Sequence, residues 1–294
     1  MTWFSKYWDM VDDYYWDLKK LGVQAFPKKS ITHTDHGVIV PNALLDAPGR
    51  AIYRRVGTAI ENLDKLHRDE VALNHALNLA FAIASSEVLV DLLFSHIGIS
   101  PSGIVKSVDK DISTYFGWKR NDTITQHDGF YVADDAALGL EVKLGADSHL
   151  DQIAKYAFLL RNEEKRAKIK KDLGLLYVVP ESRKGRFIER LLLHPQEMAR
   201  QITSSAATAT KPRLIDRAIA EDIDGYLDTI QRTKIVIISW SELHDRTIEV
   251  ERSIEAVGAG NMTLKNLLAG LCDAIRSHEG TEVDGIPDPE LTVT

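Results

Sequence analysis

Apolar and polar positions alternate along the stretch ending at Leu144. Leu140, Val142 and Leu144 fall on one face of a strand, while Glu141 and Lys143 share the other. The run Phe130 to Ala133 reads as the strand before it, and the DDAALG between the two has turn chemistry, which predicts a hairpin. A helix follows. Ser148-x-x-Asp151 fits a capping box, Leu150, Ile153, Ala157 and Leu160 form its apolar face, and Gln152 and Tyr156 lie one turn apart on its other side.

Elsewhere the pattern is mostly helical. Phe4, Trp8, Val11, Tyr15 and Leu18 recur at spacings of four and three, with Trp3, Tyr7, Met10 and Tyr14 as an adjacent stripe. This N-terminal helix either docks on the body or, being rich in Trp and Tyr, forms a homodimer interface. From Pro27 to Pro48 the sequence is irregular, and His33 and His36 lack a third ligand at a recognisable spacing, so they read as surface or turn residues. Leu77, Ala80, Ala84, Val88 and Leu92 line one face of a helix that stops at Gly98. Glu87 and Asp91 share one side of that helix, and a solvated face explains them as well as a function does. Ile112 to Trp118, rich in β-branched and aromatic residues, reads as a strand.

After the capped helix come a basic run (Lys165, Arg166, Lys168, Lys170, Lys171), a buried-type strand from Leu173 to Val179 and a loop carrying Arg183, Lys184 and Arg186. A Ser/Thr/Ala-rich loop (202–212), a helix over about 213–231, a strand from Lys234 to Trp240, a helix over about 263–276 and an acidic Gly/Pro tail complete the chain. The order helix, strand, strand, strand, helix, strand predicts an α/β fold. Its mixed central sheet is flanked by helices, with helical additions at both termini. The expected division is a helical region over 1–73, a core over 74–245 and a C-terminal helix and tail over 246–294.

Composition changes this picture little. At 294 residues, with 44% hydrophobic and 27% charged positions, the chain is an ordinary globular one. No apolar run approaches the roughly 20 residues of a membrane span. The N-terminus carries acids and aromatics where a signal peptide has basic and apolar regions, so a cytoplasmic location is expected. The single cysteine, Cys272, excludes an internal disulfide and a cysteine-based metal cluster. The net charge of −7 speaks against nucleic acid at first sight, but five acids and no Lys or Arg lie from Glu279 onward.

The charges on the alternating strand matter more. Glu141 and Lys143 share a face backed by apolar side chains, and Asp128 stands at the mouth of the preceding strand. Such a cluster is costly to bury unless water, a partner or a metal ion satisfies it. Glu-x-Lys alone carries no information, but in this order the residues resemble the PD-(D/E)XK nuclease superfamily, whose core is helix–three strands–helix–strand. His127-Asp128 stands for its Pro-Asp, Glu141-x-Lys143 for its acid-x-Lys, and Gln152-x-x-x-Tyr156 is similar to the Q-x-x-x-Y motif of its exonuclease branch. The resemblance implies a restriction-endonuclease-like αβββαβ core and a Mg²⁺- or Mn²⁺-dependent nuclease acting on nucleic acid, DNA first, in bacterial defence or DNA repair. It implies Asp128, Glu141, the Val142 carbonyl and a first-helix acid, Glu87 with Asp91 as its rival, as metal ligands. Lys143 would align the attacking water, Gln152 and Tyr156 would orient substrate or ligands, and the two basic stretches would grip the backbone. The competing expectation is a catalytically inactive module of the same fold that binds protein or nucleic acid.

Overall fold

The computed structural model describes residues 3, 31–35, 38–41, 70–108, 112–118, 127–144, 151–192 and 214–283. A two-stranded antiparallel ladder, β1 (Ile31–Asp35) and β2 (Val38–Pro41), stands where the sequence looked irregular. The body is a five-stranded mixed sheet of β3 (Lys106–Ser107), β4 (Gly129–Val132), β5 (Ala136–Val142), β6 (Asp172–Val179) and β7 (Lys234–Ser239), in that spatial order. The pairs β3–β4 and β4–β5 are antiparallel, while β5–β6 and β6–β7 are parallel.

Helices cover both faces, which places the chain in the α/β class. On one face lie α1 (Glu70–Ile83), α2, α8 (Trp240–Ser253) and α9 (Ala259–Ser277), with α2 made of three contiguous runs, Ser86–Leu89, the π-helical Val90–Phe94 and Ser95–Ile97. They pack on Leu138, Leu140, Val142 and Leu144 of β5 and its end, together with Leu176, Val178 and Ile238. The opposite face carries α3 (Ile112–Phe116), α4 (Asp151–Ala167), α5 (Glu181–Leu192), α6 (Leu214–Glu221) and α7 (Ile223–Arg232). Its core includes Phe130, Ala137, Tyr156, Leu175, Tyr177 and Ile237. Every residue of β5 is buried, as a strand covered by helices on both faces must be.

The structure departs from the sequence expectation at five further points. Ile112–Phe116 is helical rather than a strand: Ile112 and Phe116, one turn apart, pack on the second core, Phe116 stacks on Trp118 at 4.5 Å, and the turn closes at Gly117 with φ 69°. Packing on α4 thus overrides the β-branched composition. The first sheet strand is instead the two-residue β3, too short for an alternation signal. The long apolar helix breaks at Ala84 and Ser85, where the Ser85 side chain caps the next run by accepting from the Val88 N–H at 3.5 Å. Residues 183–186 open a helix, α5, and not a loop. The helix expected over 213–231 is likewise two, α6 and α7, parted at Asp222.

The aromatic N-terminal stripe lies outside the described residues except for Trp3, whose indole N–H donates to the Leu267 carbonyl at 2.9 Å. Trp3 therefore docks on α9. The capping box at Ser148, the 202–212 loop and the acidic tail from Asp284 also lie outside them.

Gly139, midway along β5, lets the Tyr156 ring lie flat against the strand. A Cβ there would stand 2.3 Å from Tyr156 Cδ1 and 2.7 Å from Cε1. The ring is enclosed and has little room to retreat, so Gly139→Ala should cost about 1–3 kcal/mol through overpacking. Urea unfolding measures this, and an unchanged midpoint would show the ring to be mobile.

Candidate functional site

The parallel strands β5, β6 and β7 end on one edge of the sheet, and because β4 is antiparallel to β5 its beginning lies on that edge too. Asp128 immediately precedes β4, and Glu141 and Lys143 close β5. The strand alternation sends both of the latter to the α4 face, away from Leu140 and Val142. Glu141 is 3% exposed and Lys143 7%. Lys143 Nζ lies 2.8 Å from Glu141 Oε1. Main-chain contacts fix the Lys143 backbone, whose N–H donates to the Val178 carbonyl and whose carbonyl accepts from the Trp240 indole, each at 2.9 Å.

Tyr156 ties the acids together. Its hydroxyl oxygen accepts from the Asp128 N–H at 3.2 Å, and its single proton is shared between Glu141 Oε2 at 2.9 Å and the Leu140 carbonyl. The Asp128 carboxylate continues the ladder where β4 has not yet begun: Oδ2 accepts from the Val142 N–H at 2.9 Å. Its other oxygen accepts from Asn74 Nδ2 at 2.5 Å, reaching across from the first turn of α1. Asn78 braces Asn74 in turn, donating to its side-chain oxygen at 2.6 Å and its main-chain oxygen at 2.7 Å. Burial, then the charges of Glu141 and Asp128, raise the Tyr156 hydroxyl well above its ordinary pKa, so it stays a proton donor. At 1% exposure Tyr156 is a buried positioning group and offers no surface to a substrate.

The alternation on β5, the hairpin and the gathering of Asp128, Glu141, Lys143 and Tyr156 match the sequence reading. Other expected members are not part of this cluster. Glu87 is exposed, and its carboxyl is held below its ordinary pKa by its own backbone N–H and by Ser85. It lies on α2, beyond the break at Ala84 and Ser85 that separates it from the helix carrying Asn74. Its neighbour Ser86 accepts from the Val105 N–H at 2.8 Å, and β3 pairs there with Val132, at the far end of β4 from Asp128. Asp91 pairs instead with Arg246, which donates to its carbonyl at 3.0 Å and lies 3.7 Å from its carboxylate. The helix residue that meets Asp128 is Asn74, which the sequence reading missed. The available signal was a pair of amides, Asn74 and Asn78, four apart among Leu73, Leu77 and Ala80. The Gln152 backbone lies one turn before Tyr156 in α4, and its side chain lies outside the described residues.

The basic run also departs from expectation. Lys171 donates to the Ala133 carbonyl at 2.6 Å, beside the start of β6, whereas Glu141 sits opposite Tyr177 near its end. Five residues of strand, about 17 Å, separate the two. The run is also internally paired: Lys165 with Asp222, Arg166 and Lys171 with Glu163, and Lys170 with Asp228. An open cleft of roughly 760 Å³ lies at this remote end, between Ile104, Lys106, Tyr115, Arg166 and Ile169, and is no part of the Asp128 cluster. Of the two basic stretches, only Arg183, Lys184 and Arg186 on α5 lie beyond the carboxyl end of β6, the cluster's edge, and Lys184 pairs with Glu242 at 2.5 Å.

The donor set at the cluster is two carboxylates and a main-chain carbonyl, hard oxygens of the kind Mg²⁺ and Mn²⁺ prefer. A strand residue turns its N–H and C=O to the same side, and the Val142 N–H faces Asp128, so its carbonyl does too. By their chemistry these are donors that a divalent cation takes. Among the described residues no group of three or more His, Cys, Asp or Glu side chains is placed to hold a metal. The cost argument alone does not demand one, because Lys143, Tyr156, Asn74 and the Val142 N–H already satisfy the carboxylates. No described helix is long and apolar enough to cross a membrane. No protein-family model, curated protein or solved structure matches the chain.

Removing the Tyr156 hydroxyl leaves buried partners unmade, so Tyr156→Phe should cost about 1–3 kcal/mol. It should also change the alkaline limb of stability. The native pKa is raised, so above about pH 10 the unfolded chain has lost a proton that the native one keeps, and stability falls as pH rises. Buried Tyr131 and half-buried Tyr115 act in the same sense, as does Tyr226, pushed up to about 12. Melting curves from pH 8.5 to 11 should show a shallower decline for Tyr156→Phe than for wild type. Equal slopes would mean that the hydroxyl does not stay protonated in the native state.

Proposed function

We propose that the protein is a metal-dependent nuclease of the restriction-endonuclease-like type, hydrolysing phosphodiester bonds, with DNA as its first substrate class. The observation that carries the reading is the meeting of Asp128, Glu141 and Lys143 at the carboxyl ends of the parallel strands. In open α/β sheets that is where ligands bind. The order of elements supports it as well: α1 and α2, then β3, the short α3, β4 and β5, then α4 and β6, with β7 added at the edge.

In this reading Asp128, Glu141 and the Val142 carbonyl hold a Mg²⁺ or Mn²⁺ ion. When bound, the ion lowers the pKa of water and neutralises charge developing on the phosphate. The protein's own contributions are separable. Tyr156 fixes the rotamer of Glu141, and the Val142 N–H and Asn74 fix that of Asp128. Lys143, on the same strand face as Glu141, aligns a water and offsets negative charge on a phosphate oxygen. Arg183 and Arg186 supply phosphate contacts that position the backbone without reading sequence.

One observation favours a second reading, an inactive module of this fold: the Glu141–Lys143 pair is buried and internally satisfied. Cleavage assays on single- and double-stranded DNA and RNA, with Mg²⁺, Mn²⁺ or EDTA, separate the two. The nuclease reading expects metal-dependent cleavage that EDTA abolishes. Lys143→Met keeps most of the stem's packing and both carboxylates, so it should retain metal and lose two or more orders of magnitude in rate, about 3 kcal/mol of transition-state stabilisation. Nucleic-acid binding without cleavage under every metal condition would favour the inactive module. Near-normal cleavage by Lys143→Met would overturn the role given to Lys143.

A further inference from the structure

Resting on the nuclease reading, we infer that Asn74 is a positioning residue whose neutral carboxamide, braced by Asn78, holds Asp128 so that the cluster takes a single divalent cation. The first strand of the argument is geometric. Asp128 precedes β4 and has no neighbour in the ladder to hold its side chain. Two donors reach its carboxylate from different elements, the Val142 N–H of β5 on one oxygen and Asn74 Nδ2 of α1 on the other. Asn74 is itself 8% exposed, and its own oxygen accepts from Asn78, which leaves its amide nitrogen directed at Asp128. The amide is therefore oriented by a partner, and a flipped Asn74 would set two oxygens against each other.

The second strand is charge. At this point of the helix a carboxylate would give the cluster a third acid. The carboxamide leaves two carboxylates and the Lys143 ammonium, a formal charge of −1. One divalent cation brings the sum of these three groups to +1, whereas a second would leave +3, and no third His, Cys, Asp or Glu among the described residues is placed to hold a metal with them. Asn74 thus sets both where Asp128 points and how much positive charge the cluster accepts.

Two substitutions, one a truncation and one nearly isosteric, separate this role from plain packing. Asn74→Ala removes the donor, and Mn²⁺ affinity should fall about tenfold as Asp128 loses its α1 anchor. Asn74→Asp places a third carboxylate in the same volume, and Mn²⁺ affinity should rise about tenfold, with a larger Mn²⁺-dependent gain in melting temperature. The measurement is Mn²⁺ titration of the metal-free full chain, followed by the EPR signal of free Mn²⁺, after circular dichroism shows each variant folded. If Asn74→Ala does not fold, the comparison of Asn74→Asp with wild type decides alone. One ion per wild-type chain with changes of opposite sign supports the inference. Two ions per wild-type chain, unchanged affinity in both variants, or equal weakening in both would overturn it and leave the nuclease reading standing. A wild-type chain that binds no Mn²⁺ would overturn both.

Discussion

A charge taken into a protein interior must be met there, and Glu141 is the charge around which this edge of the sheet is arranged. It is central in the sheet, almost without exposure, and held from two sides by Lys143 and Tyr156. Each partner needs support from a different element. The Lys143 backbone is pinned by β6 and by Trp240 at the start of α8. Tyr156 reaches Glu141 only because Gly139 leaves room for its ring on the strand. Removing Lys143 would leave Glu141 a buried charge without its cation, which costs several kcal/mol, more than the loss of the Tyr156 hydroxyl. The sheet, both helical layers and the site are coupled through that one carboxylate.

The same arrangement makes catalysis plausible in physical terms. Positioned groups in a water-poor site stabilise developing charge far better than mobile ones. Asp128 and Glu141 are held by main-chain and tyrosine donors and need no reorganisation to present their oxygens. The satisfaction of the cluster by its own residues is compatible with a binding role too. Chemistry, not fold, separates the two, since one fold hosts both enzymes and inert modules.

Much of this edge was legible in the sequence because strand alternation is a strong local signal. Glu141 and Lys143 on one face, Asp128 before the paired strand and Tyr156 on the next helix all follow from spacing. The resemblance to a nuclease superfamily rested on those same residues. What local pattern could not carry was long-range placement. Glu87 lies on an apolar helix of the right kind, yet the break at Ser85 puts it on a second helix, beside β3 and the far end of β4. The basic run from Lys165 to Lys171 reads as a phosphate grip, yet Lys165, Arg166, Lys170 and Lys171 pair with Glu163, Asp222 and Asp228. Asn74 carries no charge and so drew no notice, although it is the helix residue that touches Asp128. A two-residue strand and a strand-like run that folds as a helix were lost for the complementary reason, that packing on neighbours decided them.

The central claim is that Asp128, Glu141 and the Val142 carbonyl together form a divalent-cation site. Crystals of the wild-type protein soaked in Mn²⁺ and examined by anomalous diffraction address it directly. The account predicts one strong peak at the carboxyl edge of β5, about 2.1 Å from an oxygen of each of the three residues. An ordered cluster with Glu141 still paired to Lys143 and no peak beside it at millimolar Mn²⁺ would contradict it.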